Sequence, residues 1–197
     1  MATVANSQDT SLDSRKRHGR AVNAVAELLR RKIAVPHIYL KPTAKLLHPD
    51  VLAVDRAGSG DLHAVEIKLE TGVSGRHPKK PTDLRDWNQI NKDGHSVDLP
   101  GVVKKFHDQL RSSPANYRYV AIPAETCTSL VPILVDIGLY SPDGIGRLGV
   151  ISIRDKGEDR PEAEIVLARE RFRVEPGKMI AIEKFLEKAK PDIEVRI

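Results

Sequence analysis

Two apolar runs, DVLAVDR at 50–56 and LHAVEIKLE at 62–70, are joined by the short segment AGSG and constrain the fold more than any other feature. Short runs rich in Val, Leu and Ile and bounded by Gly or Pro predict β-strands. The short glycine-containing connection predicts that the two strands form an antiparallel hairpin. This hairpin is therefore the expected starting point of a β-sheet.

The remaining elements are predicted from the spacing of apolar residues. An apolar stripe at three- and four-residue spacing predicts a helix from about Ser14 to Lys32. Similar patterns predict strands at 37–40, 117–124, 147–154 and 164–174, and further helices at 100–111, 128–137 and around 179–186. This order predicts an α/β fold with a mixed β-sheet flanked by helices on both faces.

The chain is expected to form one domain. Residues 1–13 are polar and lack periodicity, which predicts a mobile N-terminal tail. Residues 14–197 would form the single domain, in which residues from about 156 to 197 are a C-terminal elaboration.

Composition favours a soluble protein. Hydrophobic residues make up 40% and charged residues 30% of the 197 residues, which is typical of globular domains. No apolar run approaches the roughly 20 residues that cross a bilayer, and the N-terminus lacks the apolar stretch of a signal peptide. We therefore expect a cytoplasmic protein without a membrane partner. The single Cys127 excludes an internal disulfide framework and a cysteine-rich zinc site.

The hairpin carries residues that predict a chemical site. Glu66 and Lys68 lie two apart in the second strand and so share a face, while Asp50 begins the first strand. Pairing of the strands would bring Asp50 near Glu66. Two crowded carboxylates repel each other unless a cation lies between them, and hard oxygen ligands select Mg²⁺ or Mn²⁺. Such an ion can polarise a phosphodiester, and a nearby lysine can orient water or stabilise negative charge.

The segment HPDVLAVD followed by VEIK resembles the PD-(D/E)XK nucleases, which have the restriction-endonuclease-like fold. The resemblance covers roughly residues 15 to 154 and implies a Mg²⁺- or Mn²⁺-dependent nuclease acting on DNA. It implies that Asp50 and Glu66 bind the metal together with the Ile67 carbonyl. Lys68 would then position the attacking water. Many members dimerise to cut two strands, so a homodimer is expected by analogy.

The first helix departs from the family pattern. Many members add an acid from this helix, and Glu27 is the candidate here. At about 100° per residue, Glu27 falls nearly opposite the stripe that contains Val25 and Leu29, so we predict it to be a surface residue. In resolvase-like members the acid lies closer to the helix start, where this sequence has residues 22–24, Val-Asn-Ala.

Basic residues outside the motif are candidate contacts to nucleic acid. The net charge of +5 and the pI of about 9.3 permit a polyanionic partner. One basic group clusters near the N-terminus and contains Arg15, Lys16, Arg17 and Arg20. The predicted contacts are Arg76, Lys79, Lys80 and Arg85 in a long Pro- and Gly-containing segment, and Lys104, Lys105 and Gln109 on the helix predicted after it.

Two alternatives to a nuclease remain open on the sequence. The first is a non-catalytic nucleic-acid-binding module on the same fold, which the departure in the first helix favours. The second is an unrelated α/β protein that binds a small acidic ligand or another protein. The residues themselves also have a non-functional interpretation, in which Asp50 caps a turn and Glu66 with Lys68 is a solvent-facing pair on an edge strand. Divalent-ion-dependent cleavage separates the nuclease from both, whereas salt-sensitive DNA binding without cleavage indicates the binding module.

Overall fold

The computed structural model describes residues 6–33, 36–42, 49–56, 60–69, 113–128, 131, 148–155, 160–167, 171, 173–174 and 176–194. The helices assigned within these residues are α1 (Asn6–Lys32) and α2 (Pro176–Lys188), and residues 124–128 add a short helical segment. The strands are β1 (Pro36–Leu40), β2 (Val51–Asp55), β3 (Leu62–Ile67), β4 (Tyr117–Pro123), β5 (Gly149–Arg154), β6 (Glu162–Leu167) and β7 (Ile193–Glu194).

The described strands form one mixed sheet in the order β6-β5-β4-β3-β2-β1-β7. Strands β3, β4 and β5 are parallel to one another, and the other neighbouring pairs are antiparallel. The carboxyl ends of β3, β4 and β5 therefore lie at the same edge as the beginning of β2. We call this the carboxyl edge of the sheet. Open α/β sheets commonly bind ligands outside the carboxyl ends of their strands.

The hairpin is formed as predicted. Strands β2 and β3 pair antiparallel, with Val51 opposite Val65 and Val54 opposite Leu62. Gly60 has a φ of 72° and donates its backbone N–H to the Asp55 carbonyl at 3.0 Å. This left-handed conformation favours glycine, which has no Cβ to clash with the backbone. Local turn chemistry thus fixes the register of the two strands that carry the predicted site.

Helices α1 and α2 cover opposite faces of the sheet. On one face, α1 packs its apolar stripe against alternate residues of the central strands, among them Val51, Ala53, Val65 and Ile67. On the other face, α2 packs Ile182 and Leu186 against a second set of residues, Tyr39, Leu52, Val54, Leu62 and Ala64. Successive strand residues point to opposite faces, so the apolar runs of β2 and β3 supply both layers of the core. The predicted α/β fold with a mixed sheet is confirmed.

Helix α1 begins earlier than the sequence pattern indicates. The helix starts at Asn6 and not near Ser14, so its predicted start is wrong, whereas the mobility of residues 1–13 stays a prediction. Residues 6–13 are mostly polar and form turns without apolar periodicity, so the sequence pattern does not indicate them. Helix propagation adds such turns at little cost once a packed helix is nucleated.

The other predicted elements agree with the structure where it describes them. Strands β1, β4 and β5 lie within their predicted spans, apart from Pro36 at the start of β1, whereas β6 begins two residues earlier and ends at Leu167. The helix predicted to start near Thr128 begins at 124. The helix predicted at 100–111 lies outside the described residues.

The C-terminal elements complete the sheet and its core. Strand β6 pairs with β5 as one outermost strand of the sheet, and the short β7 pairs with β1 as the other. A further contact joins β1 to the residue before β7, because the Leu40 N–H donates to the Asp192 carboxylate at 2.7 Å. The region expected to be an elaboration thus contributes two strands and one covering helix. Among the described residues, no helix is both long and apolar enough to cross a membrane.

Candidate functional site

The structure brings Asp50, Glu66 and Lys68 together at the carboxyl edge. Asp50 immediately precedes β2, Glu66 lies near the end of β3, and Lys68 follows β3. The register of the hairpin places Asp50 beside the last residues of β3. Glu66 and Lys68 point to the same face because they are two residues apart in extended backbone.

Both carboxylate oxygens of Asp50 accept hydrogen bonds. The backbone N–H of Ile67 donates to Oδ2 at 2.8 Å, and His18 Nε2 lies 3.0 Å from Oδ1. Burial raises the pKa of Asp50, but the hydrogen bonds from His18 and then Ile67 outweigh it, so the pKa is lowered overall. Asp50 is therefore held ionised and in one orientation.

Glu66 has the opposite electrostatic environment. Its side chain is only 9% exposed and accepts a hydrogen bond from Lys68 Nζ at Oε1. Burial raises the pKa of Glu66, and the negative charge of Asp50 adds to this effect. The hydrogen bond from Lys68 lowers the pKa but does not compensate fully. Glu66 is thus a buried carboxylate whose negative charge is only partly offset.

Lys68 is fixed at its backbone and reaches solvent with its side chain. Its N–H donates to the Ala121 carbonyl of β4 at 2.9 Å, and its side chain is 31% exposed. Because β3 is paired on both sides and Glu66 is buried, these residues are not a solvent-facing pair on an edge strand. The interpretation of Glu66 and Lys68 as such a pair is wrong.

The oxygen donors at the carboxyl edge suit a hard divalent cation such as Mg²⁺. Within the part of the chain that the structure describes, no three His, Cys, Asp or Glu side chains form a group that could hold a metal. Mg²⁺, however, is commonly held by only one or two carboxylates and keeps several waters. Asp50 and Glu66 can supply these two carboxylates.

The Ile67 carbonyl can add a third oxygen. The hairpin register, continued from Val51 opposite Val65, places Pro49 opposite Ile67. Proline has no backbone N–H, so Pro49 cannot donate to the Ile67 carbonyl, which faces the β2 side of the strand. The Asp50 carboxylate takes the Ile67 N–H instead. Asp50, Glu66 and the Ile67 carbonyl are therefore the residues that would hold a metal here.

Among the described side chains of α1, a histidine and no acid contacts the site. Glu27 is exposed and its carboxylate pairs with Arg30 at 2.7 Å, so its prediction as a surface residue is confirmed. His18 was missed in the sequence, although a signal was present. It lies three, four and seven residues before Ala21, Val22 and Val25, and thus extends the apolar stripe towards the helix start.

A separate ion pair lies at the opposite end of β3. Buried Asp61 accepts a bidentate interaction from Arg171, with its shortest distance 2.8 Å between Nη2 and Oδ1. Nearby, the Leu62 N–H donates to Asn116 Oδ1 at 2.9 Å. The Arg171–Asp61 pair ties the segment after β6 to the hairpin, and Asn116 ties the residues before β4 to it. Both contacts lie at the end of the sheet away from Lys68.

The predicted nucleic-acid contacts beyond the hairpin lie outside the described residues. They are Arg76, Lys79, Lys80, Arg85, Lys104, Lys105 and Gln109, and their assignment stays a prediction from the sequence.

Comparison with known proteins does not assign this chain to a family. No protein-family model matches the sequence, and no curated protein matches it. A solved protein of unknown function from Silicibacter pomeroyi aligns with a TM-score of 0.49 and 16% identity, covering 87% of this chain and 84% of that chain. A likeness this distant supports no statement about fold or function.

Proposed function

We propose that this chain is a metal-dependent nuclease of the PD-(D/E)XK type that hydrolyses phosphodiester bonds in DNA on a restriction-endonuclease-like fold. The main support is the convergence of two largely buried carboxylates and one partly exposed ammonium at the carboxyl edge. Asp50 and Glu66 have pKa values shifted in opposite directions, and pKa values perturbed by burial and specific partners are typical of functional sites.

Asp50, Glu66 and the Ile67 carbonyl would hold Mg²⁺ or Mn²⁺. When bound, such an ion supplies Lewis-acid polarisation of the phosphodiester and lowers the pKa of a coordinated water. Asp50 contributes a carboxylate that is already ionised and oriented by two hydrogen bonds. Glu66 contributes a second carboxylate, and a bound cation would stabilise its buried negative charge.

Lys68 would act on the water and on the developing charge of the reacting phosphate. Its backbone is anchored to β4, and its side chain contacts Glu66 and is partly exposed to solvent. A cationic donor held in place before the reaction stabilises charge that develops in the transition state, because it needs no reorganisation at that moment. Lys68 therefore contributes more to turnover than to substrate binding.

His18 is the residue through which α1 supports the site. Its Nε2 lies 3.0 Å from Asp50 Oδ1, which restrains the carboxylate and favours its ionised form. A hydrogen-bonding partner that orients a metal ligand commonly affects affinity or activity by about 10- to 100-fold. We assign His18 a positioning role in the proposed nuclease.

Cleavage of plasmid, single-stranded and branched DNA, with Mn²⁺ or with EDTA, tests the proposal. We expect cleavage that needs Mn²⁺ and is abolished in Asp50→Asn and in Glu66→Gln. The matched control is Glu164→Gln, an exposed acid of β6, which should cleave like the wild type. Absence of cleavage of every substrate, or full activity of either active-site variant, would contradict the proposal. Salt-sensitive DNA binding without cleavage would indicate the non-catalytic binding module.

A further inference from the structure

Two arginines of α1 converge on one carboxylate at the carboxyl edge. Arg17 Nε lies 3.6 Å and Arg20 Nη2 lies 3.9 Å from Asp155 Oδ2. Asp155 follows β5, as Lys68 follows β3, and the two strands are separated only by β4. At about 4.8 Å per strand spacing, the ends of β3 and β5 are about 10 Å apart. The arginine pair therefore flanks the proposed active site along the same edge.

Stability does not account for this pair. The distances of 3.6 and 3.9 Å are long for ion pairs, and the side chains of Arg17 and Arg20 are 51% and 36% exposed. Exposed pairs of this kind contribute little to folding. Two guanidinium groups facing one carboxylate also leave an excess of positive charge. Exposed Arg15 and Lys16 add to it on the same part of the helix, opposed by Asp13.

Arg20 is partly anchored in the protein. Its Nε is buried and has no hydrogen-bond partner among the described residues. A buried donor without an acceptor destabilises a fold, and such exceptions call for an explanation such as a functional role. Burial of Nε restrains the guanidinium plane, and Nη2 lies 3.9 Å from Asp155 Oδ2 at the carboxyl edge. A planar guanidinium with fixed donors is suited to bind the oxygens of a phosphate.

We propose that Arg17 and Arg20, next to Asp155, form a phosphate-binding site for the DNA strand that passes the active site. The ligand is the phosphodiester backbone, at a phosphate beyond the one that is cut. This inference rests on the proposed function only in taking DNA as the ligand. The site contributes to binding and to its salt dependence, and carries no step of the hydrolysis.

Binding of a labelled DNA duplex, measured by fluorescence anisotropy across a KCl series in EDTA, tests this site without cleavage. Arg17→Ala combined with Arg20→Ala should weaken binding about 10-fold. It should also reduce the slope of log K against log salt by about 0.9 for each phosphate that the variant no longer neutralises. Arg30→Ala combined with Arg31→Ala is the matched control, because it makes the same charge change at the other end of α1. The control should keep the wild-type slope.

Asp155→Asn separates a phosphate site from a structural ion pair. If the arginines bind phosphate, removal of the nearby negative charge should leave DNA binding equal or tighter. If they serve only to hold α1 to β5, Asp155→Asn should weaken binding and lower the melting temperature as much as the double arginine variant does. The second pattern, or an unchanged slope in the double variant, would overturn the inference.

The outcomes also separate this site from the nuclease activity. If the wild type cuts DNA but the double arginine variant keeps the wild-type slope of log K against log salt, the phosphate site is refuted and the nuclease proposal stands. If the double arginine variant has a reduced slope but the wild type does not cut DNA, the phosphate site is supported and the nuclease proposal is refuted. If the double variant does not fold, as judged by circular dichroism, Arg17→Ala alone replaces it, since that side chain is half exposed. Its expected slope change is about 0.9, and no change would overturn the inference.

Discussion

At the scale of single residues, Asp50 and Glu66 differ in their partners more than in their chemistry. Both carboxylates are largely buried at one edge of the sheet. His18 and the Ile67 N–H both donate to Asp50, whereas Glu66 receives its hydrogen bond from Lys68 and also faces the charge of Asp50. Hydrogen bonds to the charged form favour ionisation, and burial opposes it. The balance of these effects lowers the pKa of Asp50 and raises that of Glu66.

This difference predicts opposite effects of neutralising the two carboxylates in the metal-free protein. Because the pKa of Glu66 is raised in the folded state, ionised Glu66 destabilises the fold once the pH exceeds its ordinary value near 4.5. Glu66→Gln should therefore raise the free energy of unfolding at pH 7, by on the order of 1 kcal/mol. Below about pH 4.5 this gain should disappear, because the wild-type carboxyl is then protonated in both states.

Asp50→Asn should destabilise the metal-free protein. Its pKa is lowered in the folded state, so ionised Asp50 contributes stability above its ordinary value near 3.8 and loses it as the pH falls through the folded-state pKa. Loss of a charged acceptor for two N–H groups should cost about 1–3 kcal/mol at pH 7. Urea unfolding of both variants at pH 4 and pH 7 measures these effects. A stabilising Asp50→Asn, or a destabilising Glu66→Gln at pH 7, would contradict this electrostatic description.

At the scale of secondary-structure elements, α1 connects the core to the site. Its middle and last turns pack Val25, Leu28 and Leu29 into the core. The same face, continued towards the helix start, places His18 against Asp50. Packing of the apolar stripe thus sets the position of a polar contact with a residue 32 positions away in the sequence.

The contact between α1 and the site predicts a pKa change at Asp50. His18→Ala removes the side-chain hydrogen bond that lowers the pKa of Asp50, so this pKa should rise. His18→Gln retains an N–H donor at the end of the side chain and should restore part of the decrease. Carbon-13 NMR titration of the Asp50 carboxyl in the metal-free protein measures both values. An unchanged pKa in His18→Ala, with the helix intact by circular dichroism, would show that the contact has no electrostatic effect.

The sequence could predict those features that depend on local geometry. The proximity of Asp50 and Glu66 follows from the turn and register of one hairpin, and Glu66 and Lys68 share a face because strand residues alternate. The sequence places His18 on the apolar face of α1, but its contact with Asp50 could not be assigned, because that contact depends on how α1 lies across the sheet. The start of α1 was also missed, since its first residues are mostly polar and show no apolar period. The pairing of β6 and β7 with the sheet edges is likewise set by long-range contacts.

At the scale of the whole molecule, the C-terminal helix α2 is required to cover one face of the sheet. Ile182 is 2% exposed and packs with Leu52, Val54 and Leu62, whereas Ile180 on the same helix is 52% exposed. Ile182→Ala should therefore lower the free energy of unfolding by about 2–5 kcal/mol. Ile180→Ala, the same chemical change at an exposed position, should change it by less than about 0.5 kcal/mol. Equal effects in chemical denaturation would show that α2 does not pack on the core in solution.

The central claim for the whole molecule is that its sheet edge catalyses hydrolysis and does not only bind nucleic acid. Lys68→Ala tests this claim most directly, because Lys68 should act mainly in the transition state. Lys184→Ala, at an exposed position of α2, is the control for loss of one positive charge.

The decisive measurement is the Mn²⁺-dependent cleavage rate of one DNA substrate, with DNA binding measured on the same substrate. We predict that wild type and Lys184→Ala cut at similar rates. Lys68→Ala should be about 10²- to 10³-fold slower, as for loss of one preorganised electrostatic group, while its DNA and Mn²⁺ affinities are largely kept. Cleavage by Lys68→Ala at the full wild-type rate, or no cleavage by the wild type, would contradict the proposed nuclease.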